Sequence, residues 1–118
     1  MQQLNKVELI GCVGSVHVQT FDTLRMARLC VATNYAYKDR EGTYIIDTDW
    51  HQVVAWEGPK IACLDRIEKG SAVRVLGRIR YHRYTGTDGI ERISAEILAN
   101  EIELVDEDCL TAEDSKTL

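Results

Sequence analysis

Apolar and polar residues alternate at every second position through most of the chain, and turn residues separate the runs. NKVELIGCVGSVHVQTF, residues 5–21, sets Val7 and Leu9 against Lys6 and Glu8, while Gly11 and Gly14 mark bulges or bends, so the run reads as one long curved strand. In residues 26–37, Ala27, Leu29 and Val31 share one face and Arg28 stands on the other. KDREGT then supplies a polar turn around Gly42, and TYIIDTDWHQVVAW a third long strand rich in β-branched and aromatic residues. Gly58 and the chain's one proline, Pro59, end it. PKIACLDRIEKG spaces Ile61, Leu64 and Ile67 at helical intervals with Gly70 as terminator, which predicts one short helix. Residues 71–84 and 90–105 predict two further strands, joined by TGTDG, whose Asp88-Gly89 is a hairpin signal. Beyond Val105 the pattern fades and a mobile tail is expected.

Five strands with one short helix between the third and fourth is the order of elements in an all-β OB-fold, a five-stranded Greek-key barrel. An unrelated five-stranded barrel or an SH3-like barrel would give much the same strings. At 118 residues and 45% hydrophobic content the chain is sized for a single domain, expected over residues 1–106, with 107–118 as a short acidic tail. No run reaches the length of a membrane span and the start lacks a signal-peptide pattern, so a cytoplasmic protein is expected. Cys12, Cys30, Cys63 and Cys109 form no C-x-x-C pair and no Cys/His cluster; no metal or other cofactor is implied, and reduced cysteines packed as small hydrophobes are expected.

The formal charge of −5 argues at first against a polyanionic partner. Five of the 19 acids but only one of the 14 bases lie in residues 106–118, which leaves the body close to neutral. Within it VRVLGRIRYHRY is a local basic stretch, and a neutral domain can still carry a basic groove.

Both tryptophans fall in TDWHQVVAWEG. Strand alternation puts Trp50, Gln52, Val54 and Trp56 on one face, the rings roughly 20 Å apart, and His51, Val53 and Ala55 on the other. That face is either the core of a small domain, the commoner fate of large aromatics, or a platform for flat ligands. Gln52 favours the platform, because a polar side chain on a core face needs a buried partner. Asp49, His51 and Glu57 could suggest acid–base chemistry, yet no nucleophile motif or metal-ligand spacing accompanies them, and no enzyme is expected.

NKVELIGCVG, TDWHQVV, KGSAVRVLGRIR and AEILANEIELVD, in this order and spacing, resemble the bacterial single-stranded-DNA-binding protein family over about residues 4–106. The resemblance implies binding of single-stranded DNA with little sequence preference, in DNA replication, recombination and repair. It implies base stacking on Tyr37, Trp50, Trp56 and Tyr84, each stacked base contributing about 1–3 kcal/mol. Candidates for phosphate contacts are Lys6, Lys38, Arg40, Lys60, Arg74, Arg78, Arg80 and Arg83, acting through charge and counterion release. It further implies a homotetramer, a dimer of dimers in which first strands pair, with Val7 and Leu9 on the pairing strand and His51 facing a neighbouring subunit. Family members often end in an acidic tip that recruits replication and repair enzymes; here Lys116 and Thr117 stand where acids belong, so recruitment through the tail is not carried over. The alternatives are a primosome-type OB-fold paralogue that binds proteins, and a single-stranded-RNA-binding barrel, since stacking does not read the 2′-hydroxyl.

Overall fold

Alternation at period two gives each run one apolar face, and a sheet closed on itself buries all five faces. The computed structural model, which describes residues 1–106 and Cys109, adopts that solution. Strands Val7–Phe21 (β1), Leu24–Lys38 (β2), Tyr44–Trp56 (β3), Ala72–Thr85 (β4) and Glu91–Leu104 (β5) form a closed barrel in the spatial order β1-β2-β3-β5-β4, as expected for the OB-fold. Leu29, Val31, Val53, Val73, Val75 and Ile102 are fully buried inside it. Each such side chain contributes about 1.5–3 kcal/mol of hydrophobic stabilisation.

The strand β1 serves both halves of the barrel. Residues 7–12 pair with β4, and from Cys12 onward the strand pairs with β2, the register shifting between Val13 and Ser15. Gly14 sits in that bulge, as its position in the alternation suggested. Side chains close the hairpin loops: Asp39 Oδ1 accepts from the backbone N–H groups of Glu41 and Thr43 at 2.9 Å, and Asp88 Oδ1 from that of Ile90 at 3.0 Å.

The two long hairpins, β2–β3 and β4–β5, outrun the barrel. Their register continues to Lys38↔Tyr44 and to Thr85↔Glu91, yet β3 meets β5 only at Val53↔Ile97 and Val54↔Leu98. Beyond that junction the hairpins diverge as two arms.

Two expectations need correction. Between β3 and β4 only Leu64–Arg66 winds, as a single 3-10 turn. The flanking segment pairs with β5 instead: Ala62 N–H donates to Ile102 O at 2.8 Å and Ile102 N–H to Lys60 O at 3.0 Å, which removes the backbone donors and acceptors a helix would use. Ile61, Leu64 and Ile67 still reach the core, so their spacing reported burial rather than a helix. Arg25, bonded to Glu57 at 3.0 Å and Asp65 at 2.8 Å, pins this segment to the start of β2, and the hydrogen bonds from its side chain and backbone N–H hold the Glu57 carboxyl below its ordinary 4.5.

The cysteines differ as well. Cys12 and Cys109 form a disulfide with Cα atoms 5.6 Å apart across 97 residues, Cys63 is exposed, and only Cys30 is partly buried as a free thiol. Barrel closure accounts for the bond: Val105 N–H donates to Ala72 O at 2.9 Å, and Ala72 is the register partner of Cys12, so the chain leaving β5 arrives beside Cys12. Apart from Cys109, the expected tail, residues 107–118, lies outside the described residues.

Candidate functional site

The core is complete without the tryptophans. On β3, Val53 and Ala55 point inward, while Trp50 and Trp56 lie on the outer face at 58% and 38% exposure. Each ring is seated on a neighbour. The Trp50 indole crosses β2 and lies against Gly14 of the β1 bulge, where any Cβ would strike the ring. Trp56 leans on Phe21, their centroids 5.6 Å apart at 47°. A ring held by a neighbour and still exposed is preorganised for stacking, because little side-chain entropy is left to lose.

Tyr37 and Tyr84 are exposed on the two arms. Tyr84 stands parallel to His82 with centroids 6.4 Å apart, in phase with Arg78 and Arg80. Tyr37 is out of phase with Trp50: paired with Ile45, it takes the other face of the β2–β3 arm beside Tyr35, 5.9 Å away. The four aromatics thus occupy the arms and the barrel wall, not one flat face.

The predicted cations fall into two groups. Lys6, Arg40 and Arg78 are exposed without an ion pair among the described residues, Lys38 stands 4.9 Å over the Tyr44 ring, and Arg83 is only loosely tied to Glu91 at 3.9 Å. By contrast Arg74 is clamped between Glu8 at 2.6 Å and Glu103 at 2.9 Å, bonds that raise its pKa above the ordinary value and leave few donors for a phosphate. Lys60 faces Glu101 at 3.7 Å beside the 3-10 turn. Arg80 donates to Glu96 at 2.7 Å.

Sequence reading passed over Arg28 and Glu96. On the outer face Glu96 of β5, its side chain only 11% exposed, lies between Arg80 and Arg28, whose Nη1 is 3.8 Å from the carboxylate. Arg28 opposes Val54, so this charged group sits on the stretch between the two tryptophans. The phase of Arg28, opposite Ala27 and Leu29, marked it as outward, but its place between the rings follows only from the β2–β3 register. Nearby, where β3 and β5 part, Trp50, His51, Gln52, Ile79, Ala95, Glu96 and Ile97 line a cleft of about 260 Å³.

The predicted oligomer residues are placed differently from one another. Val7 and Leu9 pack against the core, so their side chains face into the barrel; the outward residues beside them are Glu8 and Ile10, the latter 62% exposed. Residues 7–11 pair on one edge only, with β4, which leaves their other edge open within this chain. His51 is partly buried at the mouth of the cleft, 2.8 Å from Thr33 Oγ1.

Comparison with known proteins agrees with this architecture. A relative named single-stranded DNA-binding protein, from Xanthomonas campestris pv. campestris, is 38% identical over 104 residues, covering 86% of this chain and 60% of the relative; one from Neisseria meningitidis is 33% identical over a stretch of the same size and the same shares. This chain therefore spans about 60% of the length of the curated relatives it matches. A solved Plasmodium falciparum SSB in complex with ssDNA superposes with a TM-score of 0.75 at 26% identity, covering 89% of this chain and 96% of that one. A deletion mutant of the single-stranded DNA binding protein from Thermus aquaticus, 24% identical with a TM-score of 0.69, covers 87% of this chain and 51% of that one and shares the fold. The sequence profile of the Single-strand binding protein family matches residues 4–105, nearly the whole barrel with both arms, and the chain belongs to that family.

Proposed function

We propose that this protein binds single-stranded DNA without catalysis, holding bases on Trp50, Trp56, Tyr37 and Tyr84 and phosphates on exposed cations near them. The observation that carries this reading is the pair of indoles displayed outside a core that is already filled, each resting against a neighbour and still exposed. Lys6, Lys38, Arg40, Arg78 and Arg83 supply the electrostatic share, with Arg28 added and Lys60, Arg74 and Arg80, each held by an acid, left out. A stacking surface of this kind accepts any base and serves DNA exposed in replication, recombination and repair. We place the protein with the nucleoid, where such strands arise; among the described residues no helix is long and apolar enough to cross a membrane.

The one-sided pairing of residues 7–11 supports assembly through β1, two copies sharing that open edge as antiparallel strands with Ile10 at the seam, and a tetramer built from two such dimers. Titration with oligo(dT), followed by tryptophan fluorescence at low and then high salt, tests the DNA reading. Strong quenching that weakens with salt is expected. No quenching and no binding at low salt would sink it and leave the indole face as a protein-binding surface.

A further inference from the structure

The cleft between the arms holds a group that stacking and phosphate binding do not use. Glu96 projects from β5 into the gap where β3 and β5 separate, and its carboxylate is nearly buried. Its two oxygens are not equivalent. Oε1 accepts from Arg80 Nε at 2.7 Å, whereas Arg28 Nη1 lies 3.8 Å from Oε2, too far for a hydrogen bond although close enough to balance the charge. Oε2 therefore keeps acceptor capacity for another donor.

Trp50 forms one wall of this cleft, and Ile79, Ala95 and Ile97 give it an apolar lining. Its volume of about 260 Å³ lies under the ~300–1,000 Å³ of pockets for drug-sized ligands. That volume admits a single flat ring. A base entering this cleft meets Glu96 in its lining, between the apolar side chains and Trp50.

Resting on the DNA-binding reading above, we propose that this cleft is a base-discriminating subsite that favours cytosine, whose exocyclic N4 amino group donates to Glu96 Oε2. Carboxylates accept from cytosine N4 elsewhere in nucleic-acid recognition. Uracil and thymine present a carbonyl oxygen at the same ring position, and two acceptors facing each other in a half-dry cleft cost more than the lost hydrogen bond alone. Stacking barely separates cytosine from uracil, so the difference rests on the carboxylate. The protein is then a general binder with one selective position.

The test compares oligo(dC) and oligo(dU) of equal length, above neutral pH where cytosine N3 is unprotonated, in competition for the full chain. The wild type is expected to bind oligo(dC) at least about fivefold more tightly, the lower end of what one good base contact contributes. Glu96→Gln keeps an oxygen for Arg80 and places an amide N–H₂ in the cleft, so the ratio should fall to about one or invert. Arg28→Ala should weaken both polymers and leave the ratio in favour of oligo(dC). Equal affinities in the wild type overturn the subsite while leaving general binding intact, and they do so without any variant having to fold. A preference for oligo(dC) that persists in Glu96→Gln also overturns it. Failure to bind either polymer removes the parent reading and the subsite together.

Discussion

The two halves of β4 carry the same kind of sequence and do opposite things. In the first half Val73 and Val75 are fully buried, β1 and β5 pair on either side, and Arg74 is held by Glu8 and Glu103. Past Gly77 the β1 register ends, and only Asn5 follows the strand, its side chain bonding the backbone N–H and C=O of Ile79 at 3.0 and 2.7 Å. From there Arg78, Tyr81 and Tyr84 are exposed on a two-stranded arm. An arginine flanked by strands on both sides meets acids from both and is neutralised in place. On the arm, with a single neighbouring strand on this side, Arg78 keeps its charge for a ligand, whereas Arg80 shares Glu96 with Arg28 and Arg83 lies 3.9 Å from Glu91. The acids that neighbouring strands bring alongside, more than residue type, decide which arginines of VRVLGRIRYHRY remain available.

The largest effect should come from the rings beside the arm half. Trp50→Ala with Trp56→Ala removes two stacking positions at about 1–3 kcal/mol each, so affinity for oligo(dT) should drop by about two orders of magnitude or more. The melting temperature should barely change, since neither ring fills the core. An unchanged affinity measured by fluorescence anisotropy would mean that the arms alone carry binding. The barrel half should show the reverse. Reducing Cys12–Cys109, or making Cys12→Ser, releases a cross-link spanning 97 residues and should cost about 2–4 kcal/mol of stability in urea unfolding, with DNA affinity at neutral pH intact. A loss of affinity in the folded, reduced protein would show that the two halves are coupled.

The contrast also separates what the sequence could reveal from what it could not. The strands were legible because alternation survives wherever one face is buried, and the fold class followed from their order. The helical spacing of Ile61, Leu64 and Ile67 misled because a segment that buries every third residue against a barrel floor has the same period as a helix, and its backbone was already committed to Ile102. The exposed tryptophans could be placed on one face of β3, yet whether that face was inside or outside needed the full core. Arg74 looked like Arg78 because its neutralising acids come from positions 8 and 103, distant in sequence. The Cys12–Cys109 bond and the Arg28–Glu96–Arg80 group were hidden for the same reason: each is made by register between strands.

A finer measurement sharpens the comparison arginine by arginine. For single strands the slope of log K against log salt changes by about 0.7 per phosphate contact. Arg78→Ala should lower the magnitude of the slope by about that amount. Arg74→Ala should leave it unaltered and lower thermal stability instead, because Glu8 and Glu103 then face each other without their cation. If the two variants shift the slope equally, Arg74 leaves its carboxylates to meet DNA and the division of β4 fails.

The smallest effect concerns the tip of the arm. Asp88 is held below its ordinary 3.8, first by the Arg92 side chain, 2.6 Å away, and then by the Ile90 backbone N–H. Because the folded value lies below the unfolded one, this contribution to loop order is complete above about pH 4 and is lost as pH falls through the folded value. At neutral pH the loop is therefore indifferent to small changes in acidity, and DNA binding through the arm should carry no titration from this residue. Nuclear magnetic resonance can follow the Asp88 carboxyl and the Ile90 amide through an acid titration: both should move together at a midpoint below 3.8, and Arg92→Ala should bring that midpoint back toward 3.8. A midpoint at or above 3.8 in the wild type would mean that Arg92 is not held at the tip and is free, like Arg78, to meet a phosphate.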